Sequence, residues 1–275
     1  MTALLGAYGL VVHGAPTGGR WLHEQDVAAP HLTMAAGSVD DEEVVGEGRA
    51  VLRTRTGRLL DVRRSPLTVR VGSPHPAPDE YVHPVLAGAA VMAHHWGGRL
   101  ALHGGVVAGA HGAVLLLADR GVGKTTTLAA LSNHVAVLAD DVAIVGAGAW
   151  VLAGPRCLDL RPEALPLLGD VALRDPTPVR GGDRLRVTLG LAPLVARVSA
   201  VVHLTSGPDR IDSLPPASRI ARLLEHVALR VVPSRTAVML DLLPVPTYVV
   251  GATRGAVGVS FARDAVLSLL DNHAA

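Results

Sequence analysis

The first 75 residues contain short runs in which apolar and polar positions alternate. LTVRVG at 67–72 is the clearest of these runs, and a period of two indicates a strand with one buried face. VLRTRTGRLLDV predicts a hairpin that turns at Thr56 and Gly57. The acidic run DDEE at 40–43 predicts a solvated loop between strands. The N-terminal segment is therefore expected to be rich in β structure.

A proline-rich stretch, VGSPHPAPDEY at 71–81, interrupts this pattern. Prolines so closely spaced are incompatible with a continuous helix or strand ladder, so this stretch is the best candidate for a linker. We predict a β-rich N-terminal domain at 1–78, a candidate for substrate recognition, and a second domain at 79–275. A helix is expected from Pro84 to Trp96, because proline is tolerated in a first turn and glycine follows the last residue.

The pattern after this helix alternates between strand and helix. LALHGGVVAG and GAVLLLA are predicted strands, KTTTLAALSNH is a predicted helix, and VAVLADDVAIV is a predicted strand or strand pair. This order of elements indicates an α/β fold. SRIARLLEHVALR predicts a core-forming helix capped by Ser218. Its apolar face comprises Ile220, Leu223, Leu224, Val227 and Ala228. Strand-like TYVVGA and amphipathic ARDAVLSLL follow near the C-terminus.

Composition argues against several functional classes. The net charge is +1 and aromatic residues make up 3% of the chain, so no nucleic-acid partner is expected. The apolar runs are much shorter than the roughly 20 residues that span a bilayer, so no membrane partner is expected. Cys157 is the only cysteine, and no signal segment is recognised at the start of the sequence. These features predict a cytoplasmic protein.

The stretch LADRGVGKTT at 117–126 has the composition of a phosphate-binding turn, and Lys124 in it is the only lysine of the chain. Such a turn needs glycines, so that backbone amides converge, and the N-terminal end of a helix. A slender ammonium fits this tight loop, whereas the guanidinium of arginine is too broad. The alternative is an ordinary glycine turn. The predicted nucleotide-binding residues are Asp119, Arg120, Gly121, Val122, Gly123, Lys124, Thr125 and Thr126.

Two adjacent carboxylates, Asp140 and Asp141, follow the apolar run VAVL. In a P-loop protein a neighbouring strand delivers an acidic residue to Mg²⁺, which the hydroxyl of Thr125 would also bind. Adjacent side chains of a regular strand point to opposite faces, so both acids serve one site only if the chain bends there. With such a bend, one carboxylate orients the metal and the other accepts a proton. The alternative is a turn with solvated acids.

With His103 in LALHGGVV, the stretch at 99–165 resembles HPr kinase/phosphorylase, which shares its fold with phosphoenolpyruvate carboxykinase. The resemblance implies a P-loop, a mixed sheet with flanking helices, and His103 at the catalytic site. It makes Asp140 the base and Asp141 a metal ligand, although the two roles are interchangeable. LDLRPE, by the same resemblance, supplies Asp159 to the metal and Arg161 to the substrate. Ala118 and Arg120 replace the glycine and serine of that family.

Within that family, the chain with its β-rich N-terminal segment resembles the small serine kinases that modify precursor peptides in lasso-peptide-type gene clusters. Residues 174–186, RDPTPVRGGDRLR, are predicted to be a flexible loop after the active-site signature. Arg180, Arg184 and Arg186 in this loop are candidates for contacts with phosphate or peptide. The alternative is a solvated loop without such a role. No zinc site is predicted, since the histidines lack partner cysteines at suitable spacing.

The expected function is phosphorylation of a serine or threonine hydroxyl on a peptide or small protein, with ATP and Mg²⁺ as cofactors. Two alternatives stay open: a kinase of a free metabolite such as an amino acid, and a nucleotide-binding regulator without transfer activity. A GTPase is disfavoured because its base-recognition motif needs a second lysine. A serine hydrolase is disfavoured because no Gly-x-Ser-x-Gly elbow occurs. A homo-oligomer is a further partner that the resemblance leaves open.

Overall fold

The computed structural model describes residues 3–16, 19–40, 42–54, 57–229 and 235–272. Its N-terminal part is an eight-stranded mixed sheet in the order β3-β1-β2-β4-β8-β7-β6-β5. The strands are β1 (Leu5–Ala7), β2 (Leu10–His13), β3 (His23–Glu24), β4 (His31–Ala36), β5 (Val44–Val45), β6 (Arg49–Arg53), β7 (Leu59–Arg64) and β8 (Leu67–Val71). Among the described strand pairs of this sheet, β2–β4 and β4–β8 are parallel and the others antiparallel. The prediction of a β-rich N-terminal segment is confirmed.

The predicted hairpin corresponds to β6 and β7, which pair antiparallel with Leu52 opposite Leu60. Thr56, at the predicted turn, lies outside the described residues. In the acidic run, Glu42 and Glu43 are exposed between β4 and β5, as expected for a solvated loop. Asp41 lies outside the described residues.

The first α-helix, α1 (Ala87–Trp96), begins three residues later than predicted. His83 has non-helical φ and ψ of −136° and 123°, as is usual for a residue before proline. His83 lies within a π-helical turn, Val82–Leu86, which leads directly into α1. Helix α1 packs on the N-terminal sheet, and their shared core extends past the predicted domain boundary at residue 78. The division into two domains stays a prediction.

The remaining strands form two further sheets. They are β9 (Leu100–Leu102), β10 (Gly104–Gly109), β11 (Gly112–Ala118), β12 (Ala136–Ala139), β13 (Ala143–Val145), β14 (Trp150–Leu152), β15 (Cys157–Leu160), β16 (Arg174–Val179), β17 (Arg184–Thr188), β18 (Val195–Ser206), β19 (Arg210–Ser213) and β20 (Thr247–Ala252). A nine-stranded sheet has the order β12-β10-β11-β18-β14-β13-β9, with β20 beside β18 and β19 beside β20. Strands β11, β18 and β20 are parallel to one another. The smaller sheet has the order β15-β17-β16.

Helices cover both faces of the nine-stranded sheet. They are α2 (Lys124–Leu131), α3 (Pro216–Glu225), α4 (Thr236–Leu242) and α5 (Ala256–Asn272). Alternate residues of β11 enter different cores: Leu116 packs with α2 and α5, whereas Leu115 and Leu117 pack with α3 and α4. This arrangement explains the uninterrupted apolar run of β11, since a strand buried on both faces needs apolar side chains on both. The chain is a mixed α/β protein, and none of its described helices is long and apolar enough to cross a membrane.

Two predictions in this part of the chain are wrong in detail. Helix α3 ends at Glu225, and of its predicted apolar face only Leu223 is buried within the helix. The residues after it leave the helical path because Val227 bridges to Leu102 of β9. The N-cap is Pro215 rather than Ser218.

The predicted flexible loop at 174–186 is instead the antiparallel pair β16–β17, joined at a short 3-10 turn.

Candidate active site

The glycine turn lies between β11 and α2, as predicted. Gly121 has a φ of 87°, and Gly123, the N-cap of α2, has a φ of 113°. A Cβ atom at either glycine would meet no other atom within 4 Å, so the backbone conformation, not lack of space, requires glycine here. No side chain of the described residues caps α2, and the amides of its first turn have no intrahelical partner. This end of α2 is suited to binding an anion.

Ala118, which replaces the glycine of the resembled motif, is the last residue of β11. The φ of Ala118 is negative. The methyl group is therefore compatible with the backbone at this position.

A buried ion pair connects the glycine turn to the acidic pair. Lys124 Nζ lies 2.5 Å from Asp140 Oδ1, and both side chains are less than a tenth exposed. Asp140 directly follows β12, while Lys124 is the first residue of α2. The contact therefore joins two segments that are separated by the whole of α2.

The chain bends at the acidic pair. Asp141 has a φ of 99°, and the amide of Val142 donates a hydrogen bond to the carbonyl of Asp140 at 2.9 Å. This three-residue turn is strained for a residue with a side chain. It turns both carboxylates toward one cavity, which is the bend that the sequence requires if the two are to serve one site.

His103 contacts the second carboxylate. Its Nδ1 lies 3.0 Å from the carbonyl oxygen of Asp141 and 3.4 Å from Asp141 Oδ1. Because a carbonyl oxygen only accepts hydrogen bonds, Nδ1 carries the proton in this contact. The backbones of Gly104 and Asp141 also exchange hydrogen bonds of 3.3 and 3.1 Å. The Asp141 side chain is 47% exposed, in contrast to that of Asp140.

Asp159 is held by two arginines. Arg186 donates to both carboxylate oxygens at 2.6 and 2.8 Å, and Arg180 donates to one of them at 2.9 Å. Arg186 is fully buried, with its guanidinium 4.8 Å from the ring centre of Trp21. Burial alone would raise the pKa of Asp159, but the hydrogen bonds from Arg186 and nearby positive charge outweigh it and lower the pKa below its usual value. Asp159 is therefore ionised at neutral pH.

A cavity of about 740 Å³ brings the predicted site residues together. All of them line it except Arg186, whose predicted contact with phosphate or peptide is not supported because its side chain is buried against Asp159 and Trp21. The lining residues among the predictions are His103, Asp119, Arg120, Gly121, Val122, Gly123, Lys124, Thr125, Thr126, Asp140, Asp141, Asp159, Arg161, Arg180 and Arg184.

Sequence reasoning missed a second group of lining residues. Ser206 is the last residue of β18, and Thr253 and Arg254 follow β20. Both strands are parallel to β11, so their carboxyl ends meet at the edge of the sheet where the glycine turn lies. Ligands bind at such edges in open α/β sheets. Because this edge is defined by the order of the strands, Ser206, Thr253 and Arg254 can be recognised as site residues only once that order is known.

The acidic groups do not form a ready-made metal cage. Among the described residues, no group of three or more histidines, cysteines, aspartates or glutamates is placed to hold a metal ion. Mg²⁺ at phosphate-transfer sites binds one or two carboxylates together with phosphate oxygens and water. Thr125 and the acidic pair suit that mode of binding. Asp159 suits it less well, because arginines already occupy both of its oxygens.

Comparisons with known proteins add little to this geometry. No family model matches the chain, and no curated protein matches it. Among solved structures, the HPr(Ser) kinase/phosphatase from Coxiella burnetii is similar, with 11% identity over 63% of this chain and 95% of that one. The TM-score is 0.32, which does not establish a shared fold. The function of this chain therefore has to be inferred from its own site.

Proposed function

We propose that the chain is a Mg²⁺-dependent kinase that transfers a phosphoryl group from ATP to a serine or threonine hydroxyl of a peptide or small protein. One observation carries the proposal. A single cavity joins the glycine turn and the only lysine of the chain to two carboxylates on a strained bend. These are the groups that phosphoryl transfer needs for holding phosphate, placing a metal and accepting a proton.

Residues of the glycine turn bind the triphosphate in this proposal. The amides at the start of α2 and the ammonium of Lys124 contact phosphate oxygens. Lys124 exchanges its ion pair with Asp140 for the phosphates, so Asp140 becomes available beside Thr125. Bound Mg²⁺ supplies charge neutralisation on the phosphates, and Thr125 and Asp140 are the residues that would hold it.

Asp141 is the proposed base and Asp140 the proposed metal ligand. These roles are the reverse of those that the resemblance assigns to the two acids. Asp140 is buried against Lys124, whereas the Asp141 carboxylate is about half exposed and lies beside His103. Because Asp140 would hold the metal, the exposed carboxylate of Asp141 is the one left for an acceptor hydroxyl. Its oxygen bonds to the γ-phosphorus as the bond to the bridging oxygen breaks, ADP leaves, and the hydroxyl proton passes to Asp141. His103, through its hydrogen bond to the Asp141 carbonyl, holds the bend that presents this carboxylate.

Three arginines of the cavity supply positive charge for the transferred group. Arg161, Arg180 and Arg184 line it, and Asp159 holds Arg180 in place through a 2.9 Å ion pair. Cations placed in this way stabilise the charge of a phosphoryl group in transfer. The identity of the acceptor, the cytoplasmic location and any homo-oligomer stay predictions.

Lysine variants test the proposal. Purified protein is incubated with ATP labelled at the γ-phosphate, Mg²⁺ and a library of serine-containing peptides, while ATP binding is measured by calorimetry. Lys124→Ala should lose both binding and transfer. Lys124→Arg keeps the positive charge, and we expect it to be equally inactive because a guanidinium does not fit the turn.

Aspartate variants separate the roles of the two acids. Asp141→Asn should lower transfer by about 10²-fold or more, as expected for loss of a general base, while ATP binding stays near that of the unmodified protein. Asp140→Asn should weaken Mg²⁺-dependent ATP binding instead. Bound ATP without transfer to any acceptor would instead favour a nucleotide-binding regulator.

A further inference from the structure

A second cavity opens directly from the proposed active site. It measures about 620 Å³ and shares with the first cavity His103, Asp119, Arg120, Asp141 and Arg180. Its other walls come from β6, β7, α1 and the segment after α3. We call this second cavity the acceptor groove. It lies between the N-terminal sheet and the glycine turn, so a molecule bound in it would meet Asp141.

Apolar and polar residues contribute about equally to the lining of the acceptor groove. Its nonpolar lining consists of Leu52, Leu60, Pro84, Ala87, Gly88, Val91, Ala118, Val142, Val227, Ala228 and Leu229. Leu52 and Leu60 lie directly opposite each other in the β6–β7 pair. At Gly88 of α1, an added Cβ atom would lie 2.8 Å from Leu60 Cδ1, so glycine allows the helix to approach the sheet closely. The sheet and α1 therefore form one continuous apolar wall.

Charge in the groove does not favour a highly charged ligand. At its outer end Arg53 forms a 2.9 Å ion pair with Glu43, and both residues line the groove. Glu225 lines it as well, together with Arg120. Because both signs of charge are present, the groove does not favour a ligand of one charge, and its apolar residues are available to select an uncharged side chain.

We propose that the acceptor groove binds an extended segment of the peptide substrate and selects an aliphatic side chain two residues from the phosphorylated serine or threonine. This inference rests on the kinase function proposed above. Side chains two residues apart in an extended chain point to the same side, about 6.5 Å apart. With the hydroxyl at Asp141, the side chain at that spacing reaches the apolar lining, which includes Val142, the next residue in the chain.

The size of the groove also favours a peptide over a free amino acid. Cavities of about 300–1,000 Å³ bury most of a drug-sized ligand. The acceptor groove falls in this range and is open to solvent. It can therefore hold several residues of a continuous chain, whereas a free amino acid would fill only the part next to Asp141.

Synthetic peptides provide the test. Each is a seven-residue peptide with serine at its centre and glycine elsewhere, apart from one leucine placed one or two residues before or after the serine. With the unmodified protein, kcat/KM should be about tenfold higher or more for a peptide with leucine two residues away than for the glycine peptide. A peptide with leucine one residue away should resemble the glycine peptide. Equal kcat/KM across the set would overturn the inference and leave the kinase proposal standing.

Binding is measured separately, so that the inference is tested even without transfer. Fluorescent versions of the same peptides, with alanine in place of serine, are titrated into the protein with a non-hydrolysable ATP analogue present. The leucine peptide should bind about tenfold more tightly than the glycine peptide. If binding shows this preference while no peptide is ever phosphorylated, the groove assignment holds and the kinase proposal fails. If leucine gives no preference in binding, the groove assignment fails.

Leu52 and Leu5 provide a matched pair of variants. Both are partly buried leucines of the N-terminal sheet, but only Leu52 lines the acceptor groove. Leu52→Glu should remove the preference for leucine and leave ATP binding unchanged, and the milder Leu52→Ala should reduce it. Leu5→Glu should keep the preference, with thermal melts confirming that each variant is folded. Loss of the preference in Leu5→Glu alone, or its survival in Leu52→Glu, would contradict the assignment.

Discussion

A single strained residue, Asp141, brings the two acids of the candidate site into one cavity. Positive φ is uncommon for any residue with a side chain, although asparagine and aspartate adopt it more readily than others. Backbone strain of this kind costs roughly 1–3 kcal/mol and persists only where the surrounding structure imposes it. Here the hydrogen bonds between Gly104 and Asp141 impose it.

Substitution of Asp141 tests this strain. We expect Asp141→Asn to unfold at nearly the same urea concentration as the unmodified protein, because asparagine tolerates positive φ. Asp141→Val should be less stable than Asp141→Asn by about 1–3 kcal/mol, because a β-branched side chain is strained in this conformation. Asp141→Asn also serves as the control for loss of charge at this position. Equal stability of the valine and asparagine variants at 141 would show that the bend stores no such strain.

At the scale of elements, a buried ion pair joins two strands of the smaller sheet, β15 and β17. Asp159 of β15 and Arg186 of β17 are direct partners in the antiparallel register. Arg186 also donates to the carbonyl of Asp79, which precedes α1 in the chain, at 2.8 Å. The same side chain thus connects the small sheet, the carboxylate that holds Arg180, and the segment after the N-terminal sheet.

Removal of Arg186 should therefore be strongly destabilising. Arg186→Met leaves a buried carboxylate short of its partner, and we expect a loss of about 3–5 kcal/mol in the free energy of unfolding, measured with urea. The double variant Arg186→Met, Asp159→Leu should recover much of that loss, because an apolar pair replaces the ion pair. A double variant as unstable as the single one would contradict this account.

At the scale of the whole molecule, buried histidines make stability depend on pH. Burial, with a smaller effect of the Arg99 charge, lowers the pKa of His94 to about 4. Burial, with smaller effects of His226 and Arg222, lowers the pKa of His203 to about 4. His203 has no hydrogen-bond partner for either ring nitrogen among the described residues. Both side chains are therefore neutral in the folded protein near neutral pH.

Stability should fall as the pH is lowered from about 6.5 to about 4. In this range the unfolded histidines bind protons that the folded ones do not, so acid favours unfolding. Each of the two histidines lowers the free energy of unfolding by up to roughly 3 kcal/mol, and this loss is complete once the pH is below that range. His203→Leu should flatten part of the pH dependence in urea titrations at pH 7, 5.5 and 4.5. Asp159, with its lowered pKa, loses its contribution only below about pH 4, so its effect falls outside this window. An unchanged pH profile in His203→Leu would contradict the assignment.

Local sequence predicted the parts of the site that depend on neighbouring residues. The glycine turn, α2 and the strands around them follow from glycine spacing and from apolar runs, which act within a few residues. The placement of Asp140 and Asp141 after a strand also follows from such a run. The bend between them was required by the proposed chemistry, and the structure contains it.

The wrong predictions concern segments whose structure is set by contacts with distant parts of the chain rather than by their local sequence pattern. SRIARLLEHVALR is periodic enough for a longer helix, but pairing of Val227 with Leu102 ends it early. The arginine-rich segment at 174–186 has the composition of a loop, yet pairing between β16 and β17 orders it. Nothing next to Arg186 in the sequence indicates that Asp159 and Trp21 bury it.

Glycine spacing, apolar periodicity and the single lysine predict a phosphate-binding turn in an α/β chain, because backbone conformation and helix dipoles are properties of adjacent residues. The pairing of Lys124 with Asp140, the enclosure of Arg186 and the shape of the acceptor groove depend on the folded chain. Each brings together segments far apart in sequence, and their contact is set by strand register and by the packing of α1 on the N-terminal sheet.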